Sequence, residues 1–388
     1  MSTSSVTSPV TSSVITFAPP AHAPDFSGAV SPSWSSDTDE FLRCVHVRQE
    51  THDVKTFVLA ADAPRHFRYL PGQFITLELE IGGEKINRCY TLSSTPTRPD
   101  LVSITVKRVP GGVVSNWLHD HLQPGMALGA MGPSGEFSCF KEPAQRYLFI
   151  SGGSGITPLM SMTRALHDLG SDADIVFVHC ARTPADLLFP EELAMMARNM
   201  PRLRLAMVCD HHTPGSAYAG HLGRMDAARL AHIAPDFLAR DIYTCGPAPF
   251  MAVVRELAAK AGYAMERYRE ESFSFESLPT QVVQEIPGPE DKPELFPQAA
   301  VPTFQISLEK MGTSFSCQGG QTILQAAAAA GVRLPSSCSS GACGTCKTKK
   351  ISGQVEMKHA GGIRQREIDQ GWILPCCSRP SSDIVLER

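Results

Sequence analysis

No stretch of this chain stays apolar for long enough to cross a bilayer. Its longest apolar runs, such as "AAAAAG" and "VVSNWL", fall far short of the roughly 20 residues a spanning helix needs. The N-terminus has no charged stretch leading into an apolar core, so it does not read as a secretory signal. A basic arm is also missing and the net charge is -4, which argues against a nucleic-acid binder. Internal repeats are absent, which excludes solenoids and propellers. A disulfide framework is not evident in the 12 cysteines. Seven are scattered from Cys44 to Cys317, mostly in apolar settings such as "VFVHC", and five cluster at Cys338, Cys343, Cys346, Cys376 and Cys377. Scattered buried thiols beside a dense cluster suit a reducing compartment and a metal. The expectation is a cytoplasmic protein with no membrane and no nucleic-acid partner.

Hydrophobic residues at 43% and charged residues at 19% fit a globular chain, and 388 residues leave room for two or three domains. Residues 1–38 are Ser-, Thr- and Pro-rich and are expected to lack fixed structure. Short alternating runs ("CVHVRQET", "FITLELEI", "LVSITVKRV") broken by Pro-Gly and Gly-Gly follow, which predicts an antiparallel β-barrel over 39–142. Over 143–275 apolar strands ("YLFISG", "DIVFVHC", "LRLAMVC", "DIYTCG") alternate with helical stretches, the pattern of an α/β parallel-sheet domain. Residues 276–300 hold five prolines and five acidic residues. They read as a linker spanning about 25–30 Å. A smaller α+β module with a hairpin and a short helix fills 301–388.

The cysteine cluster lies in that last module. Cys338, Cys343 and Cys346 are spaced C-x4-C-x2-C, and 29 residues separate Cys346 from Cys376. Four thiolates in this spacing match the plant-type [2Fe–2S] pattern. Gly341, Ala342 and Gly344 let backbone amides approach the sulfurs. A structural zinc site is the alternative, although zinc usually pairs its cysteines two and two. "LPCC" offers Cys376 or Cys377 as the fourth ligand, and spacing favours Cys376. The module resembles a plant-type ferredoxin domain of the β-grasp kind.

"RCYTLSS" at 88–94 resembles the flavin signature of the ferredoxin–NADP reductase superfamily. The resemblance implies that Arg88 binds a pyrophosphate, Tyr90 stacks on the isoalloxazine, and Thr91 offers a hydroxyl near N5. In "VKRVPGGVVSN", Ser115 reads as a helix N-cap whose free amides could hold a second phosphate, which implies FAD. Cys89, Lys107, Val113 and Val114 complete the expected FAD set. "PGQF" and "GPSGEF" match the same barrel in order.

"SGGSGITP" follows an apolar strand and opens a helix. Gly152, Gly153 and Gly155 would let a dinucleotide pyrophosphate approach the helix start. The pattern resembles the G-G-x-G-x-T-P of that superfamily, which places Thr157, followed by Pro158, at the flavin–nicotinamide gap. In "YTCGPAPFM" the resemblance puts Cys245 beside the nicotinamide, with Gly246 and Pro247 shaping the pocket. In "REESF", Glu271 and Phe273 would lie near the flavin ring. Arg182 could contact a 2′-phosphate and Asp186 would repel one. The pair leans to NADH, with NADPH open.

The superfamily resemblance covers about 39–388 and implies an electron chain: NAD(P)H, FAD, [2Fe–2S], then an external acceptor. "VKRVPGGVVSNWLHDHL", "GQVEMKHAGGI" and "GWILPCCSRP" look like the reductase components of glycine betaine demethylase (monooxygenase) systems, which serve a Rieske-type oxygenase. Reductases of hybrid-cluster protein are also similar. A non-enzymatic metal-binding module on a reductase scaffold is the reading from another class.

Overall fold

The computed structural model describes residues 31–36, 38–212, 218–272, 302–332, 334–336, 339 and 341–388. The expected linker 276–300, Phe273 and Cys338 lie outside the described residues.

Strand periodicity builds the first unit. β1 (Phe41–Thr51), β2 (Val54–Ala61), β3 (Phe74–Ile81), β4 (Glu84–Thr91), β5 (Val102–Lys107), α1 (Val113–His121) and β6 (Ala127–Ser134) follow in order. The strands pair antiparallel as β4-β3-β6-β1-β2-β5. A bridge from Leu92 to Ile104 brings the outer strands together and closes the barrel, which removes the open edge. In β3, Ile75, Leu77 and Leu79 enter the core, while Glu78 and Glu80 face outward, as a period of two requires. Part of the segment expected to lack structure is packed. Trp34 is 5% exposed, with its ring centroid 5.6 Å from that of Phe67. Ordered packing therefore begins ahead of residue 38.

The second unit runs β7 (Arg146–Gly152), α2 (Ile156–Asp168), β8 (Asp174–Ala181), α3 (Pro190–Asn199), β9 (Leu203–Cys209), β10 (His221–Leu222), α4 (Ala227–Ile233), β11 (Asp241–Gly246), α5 (Ala248–Lys260) and β12 (Tyr268–Ser272). The sheet is parallel in the order β10-β9-β8-β7-β11-β12. Its central strands are buried on both faces, with Leu148, Phe149 and Ile150 fully enclosed, hence their unbroken apolar sequence. From β7 the chain moves one way to β8 and later returns on the other side as β11. The carboxyl ends of β7 and β11 thus flank the switch point where such sheets bind ligands.

The third unit contains β13 (Thr303–Leu308), β14 (Thr313–Gln318), α6 (Ile323–Ala329), β15 (Thr348–Ser352), β16 (Val355–Met357), α7 (Gln365–Asp369), β17 (Trp372–Ile373), β18 (Ser378–Pro380) and β19 (Ile384–Leu386). β13 and β14 form a hairpin, and β13 runs parallel to β19 within a five-stranded mixed sheet. Thr322 and Gln325 close a capping box at the start of α6, which buries Ile323, Ala326 and Ala327.

Polar contacts join the first two units. Ser161 Oγ in α2 donates to the Ser94 carbonyl at 2.5 Å. Arg164, 8% exposed, donates to the Ser93 carbonyl and forks onto Glu192 at 2.8 and 2.7 Å. α2 therefore sits directly on the residues that follow β4.

Candidate functional site

β4 supplies one wall of a cavity of about 280 Å³. Arg88, Cys89, Tyr90 and Thr91 line it from β4, Lys107 from β5, Val113, Val114 and Ser115 from α1, and Thr157 from α2. Every residue in the expected FAD set is thus brought to one place. Thr105, Val106, Val109, Gly112 and Ser154 also line it. The sequence reading did not assign these to the site: for Thr105 and Val106 strand alternation alone does not say which face of β5 meets a ligand, and Val109, Gly112 and Ser154 lie in the connections before α1 and α2.

The expected N-cap is corrected. α1 starts at Val113 with Gly112 as its cap residue and no side-chain cap. Ser115 lies inside the first turn, where its Oγ accepts from Val109 N–H at 3.2 Å and donates to the Gly112 carbonyl. The uncapped first-turn amides lie at the cavity, beside the cations Arg88 and Lys107. An uncapped helix start with two cations is a chemically suitable seat for a pyrophosphate. Tyr90 is half-buried, and burial pushes its hydroxyl upward, so the phenol stays neutral. The donor set fits a flavin dinucleotide.

At the switch point, the glycines do more packing than the sequence suggests. A methyl group on Gly155 would lie 2.3 Å from the Cys245 carbonyl oxygen, and one on Gly152 would lie 2.9 Å from the Phe250 ring. Gly153, at φ +53°, borders open space. The close approach that Gly152 and Gly155 permit is that of β7, α2 and β11 to each other. Thr157 Oγ1 donates to the Ser154 carbonyl at 3.2 Å; Pro158 is buried behind it and Pro247 is exposed at the start of α5.

Strand register sets Glu271 of β12 directly beside Cys245 of β11. The thiol is fully buried, and burial with the neighbouring carboxyl pushes it well up. Glu271 Oε2 is buried with no hydrogen-bond partner among the described residues, and burial lifts the carboxyl to about 8. Both groups are therefore neutral near pH 7.

Arg182 is engaged. Its Nη2 lies 3.1 Å from Asp186 Oδ1 and 3.6 Å from Asp53 Oδ2, and Lys107 Nζ reaches Asp53 at 3.1 Å. Asp186 Oδ2 also accepts from Thr183 N–H and Oγ1–H at 3.1 and 2.8 Å. The sequence reading did not reach Asp53, because it lies in a turn about 130 residues before Arg182. It also missed His179, which is fully buried. His179 Nε2 accepts Leu188 N–H at 3.1 Å, so Nδ1 carries the proton toward Ser151 Oγ at 2.9 Å. Burial drives this imidazole down to about 3, and it anchors the Arg182–Leu188 loop as a neutral group.

Three of the four expected metal ligands are described. Cys343, Cys346 and Cys376 are buried, and the sulfurs of Cys346 and Cys376 lie 3.3 Å apart, too far for a disulfide of about 2.05 Å. Cys377 Sγ faces Gly341 of the same loop, where a methyl group would come within 2.6 Å of it, and lies 3.6 Å from the Leu374 carbonyl. Cys343, Cys346 and Cys376 offer thiol donors suited to an iron–sulfur cluster. The loop abuts the barrel. A methyl on Gly344 would lie 3.0 Å from Met131 Cε and 3.4 Å from Asn87 Nδ2, and Asn87 precedes Arg88 in the cavity wall.

Among the described residues no helix is long and apolar enough to cross a membrane. The oxidoreductase FAD-binding domain family matches residues 42–139, the oxidoreductase NAD-binding domain family 149–256, and the 2Fe-2S iron-sulfur cluster binding domain family 306–381. The chain is 45% identical to the glycine betaine monooxygenase reductase subunit of Pseudomonas aeruginosa, over 89% of this chain and 94% of that one. It is 40% identical to a stachydrine N-demethylase reductase subunit of Rhizobium meliloti, over 92% and 98%. Among solved structures, phthalate dioxygenase reductase superposes with a TM-score of 0.53 at 25% identity, covering 91% of this chain and 99% of that one.

Proposed function

The chain belongs to the ferredoxin–NADP reductase superfamily with a C-terminal 2Fe–2S domain and is an NAD(P)H-dependent oxidoreductase, and from that premise we propose that it feeds electrons to a Rieske-type oxygenase that demethylates glycine betaine or a related quaternary amine. The observation that carries the reading is the continuity of the three sites. Thr157 of the second unit lines the flavin cavity, and a methyl on Gly344 of the third would lie 3.4 Å from Asn87, the residue next to Arg88.

FAD, when bound, accepts a hydride and gives up its two electrons singly, and a [2Fe–2S] cluster takes them one at a time. Arg88, Lys107 and the first-turn amides of α1 neutralise the pyrophosphate. Tyr90 presents a flat face to the ring, and Thr91 offers a hydroxyl donor at its edge. Thr157 and Cys245 would border the place where nicotinamide meets flavin. Glu271 holds a proton at its carboxyl near neutral pH. Phe273, one residue past the end of β12 in sequence, is the aromatic assigned to the ring. NADH is the preferred donor, because Arg182 is already paired with Asp186 and Asp53. Cys338, Cys343, Cys346 and Cys376 hold the cluster. The reduced thiols suit the cytoplasm.

The test is reconstitution. The anaerobic holoprotein should show flavin and [2Fe–2S] absorption that NADH bleaches, and with a quaternary-amine oxygenase it should release formaldehyde from the N-methyl group. Bleaching without formaldehyde from any quaternary amine would redirect the reading to another acceptor, such as hybrid-cluster protein.

A further inference from the structure

Two cations of the third unit converge on one carboxylate of the barrel. Glu78 stands on the outward face of β3. Its Oε2 accepts from Arg364 Nη2 at 2.8 Å, and its Oε1 lies 3.6 Å from Lys347 Nζ. Arg364 is 5% exposed. Its guanidinium also donates to Ala130 O at 3.0 Å and to Ser36 O at 2.8 Å, both on the barrel side. Glu367 closes the group within the third unit. It accepts from Lys347 Nζ at 2.6 Å and from Arg364 N–H at 2.8 Å. Ser134 Oγ donates to Ala360 O at 2.6 Å alongside.

The sequence carries the same asymmetry. Ten Lys and Arg face six Asp and Glu after residue 300, in a chain whose net charge is -4. A basic module sits on an acidic remainder.

A guanidinium buried in this way has its donors satisfied only while the two units touch. Lys347 immediately follows Cys346 and its Nζ lies 3.8 Å from Met131 Sδ, and a methyl on nearby Gly344 would lie 3.0 Å from Met131 and 3.4 Å from Asn87. The network therefore fixes where the cysteine loop rests on the flavin cavity wall.

We propose that Arg364 and Lys347, gripping Glu78, are positioning residues for the electron step between the flavin site and the cluster. They set the docked pose and touch neither group. The proposal rests on the assignment of those two sites given above. Two electrons enter with each hydride, and each passage through the docked contact carries one. Two one-electron acceptors are thus reduced per NADH oxidised, and one proton is released to solvent.

The test uses full-length holoprotein and the variants Arg364→Met, Glu78→Gln and Arg364→Lys. Hydrogen exchange is followed in peptides spanning 341–347 and 359–364. Breaking one partner of a buried charge pair should speed exchange there by roughly 30-fold or more. In anaerobic stopped-flow, flavin bleaching by NADH keeps the wild-type rate while cluster bleaching slows about tenfold or more. Arg364→Lys falls between, because it keeps the charge and loses the fork. The Glu78→Gln/Arg364→Met double variant should be little worse than either single one. Wild-type exchange in both single variants would overturn the proposal, and so would flavin bleaching that slows as much as cluster bleaching. A protein that holds no flavin or no iron would sink the site assignment instead, and the exchange arm would still decide the docking.

Discussion

Replacing Glu271 by Gln tests the nicotinamide pocket by its charge. Glu271 lies beside Cys245 in strand register, its Oε2 buried and unpartnered among the described residues. Burial lifts the carboxyl to about 8, so near pH 7 about ten molecules in eleven carry the proton. Cys245 is pushed up further, first by burial and then by Glu271, so a break near pH 8 belongs to the carboxyl. Above it, on the proposed assignment, an anion stands where a hydride must arrive. At an effective dielectric near 20, two unit charges about 6 Å apart repel by about 3 kcal/mol. The partial charge of a transition state feels a share of this, about 1.4 kcal/mol or tenfold in rate. Stopped-flow reduction of the flavin by saturating NADH should therefore fall about tenfold as pH rises through 8. The Gln variant should show no break. A rate near the acid limit would mean that charge alone matters, and a lower flat rate that the proton itself is used. The same shift has a stability sign. The folded state keeps a proton that the unfolded carboxyl releases above 4.5. Stability thus falls as pH rises from there to 8, by at most about 1.4 kcal/mol per unit. A break near pH 8 that persists in the Gln variant would refute the assignment.

Arg88→Ala should weaken FAD by about 10- to 100-fold through the loss of a charge-assisted bond; the flavin-to-protein absorbance ratio after dialysis checks this, and full occupancy would contradict it. Cys376→Ser should lose iron and cytochrome c reduction while flavin reduction by NADH continues, and Cys377→Ser should keep both. Iron analysis that gave the reverse would exchange the two ligands. Gly155→Ala forces a methyl to 2.3 Å from the Cys245 carbonyl and should cost about 1–3 kcal/mol by overpacking. Calorimetry should show earlier melting, and the KM for NADH should rise with FAD content unchanged.

Local chemistry was readable where one short segment carries it. Arg88–Thr91, Gly152–Thr157 and the Cys338–Cys346 loop each combine side chains and backbone freedom in consecutive residues, and the structure gathers the expected FAD set into one cavity. The unread residues act across domains. Glu78 alternates with core residues in "FITLELEI" and looks like an ordinary solvent-facing carboxylate until Arg364 arrives from 286 positions away. Arg164 lies in an amphipathic helix, where only the docking of α2 shows that it reaches the Ser93 carbonyl. Ser115 misled for a local reason: Gly112 supplies the cap, so helical geometry starts two residues before the serine.

The contacts made from within β4 and just past its end have a consequence for how substitutions combine. Asn87 meets the cysteine loop, and Ser93 and Ser94 meet α2. Asn87 and Ser94 are seven positions apart, at most roughly 24 Å of extended chain at about 3.4 Å per step. Sites more than about 10 Å apart without shared partners usually act additively. Arg164→Met removes a contact that seats the second unit and should slow flavin reduction, whereas Arg364→Met should slow the passage to the cluster. In the double variant each step should be slowed only by its own substitution, within about 0.5 kcal/mol in the corresponding rates. A larger coupling would mean that the Asn87–Ser94 segment transmits displacement along its length, and the intake and exit contacts could then no longer be treated as independent.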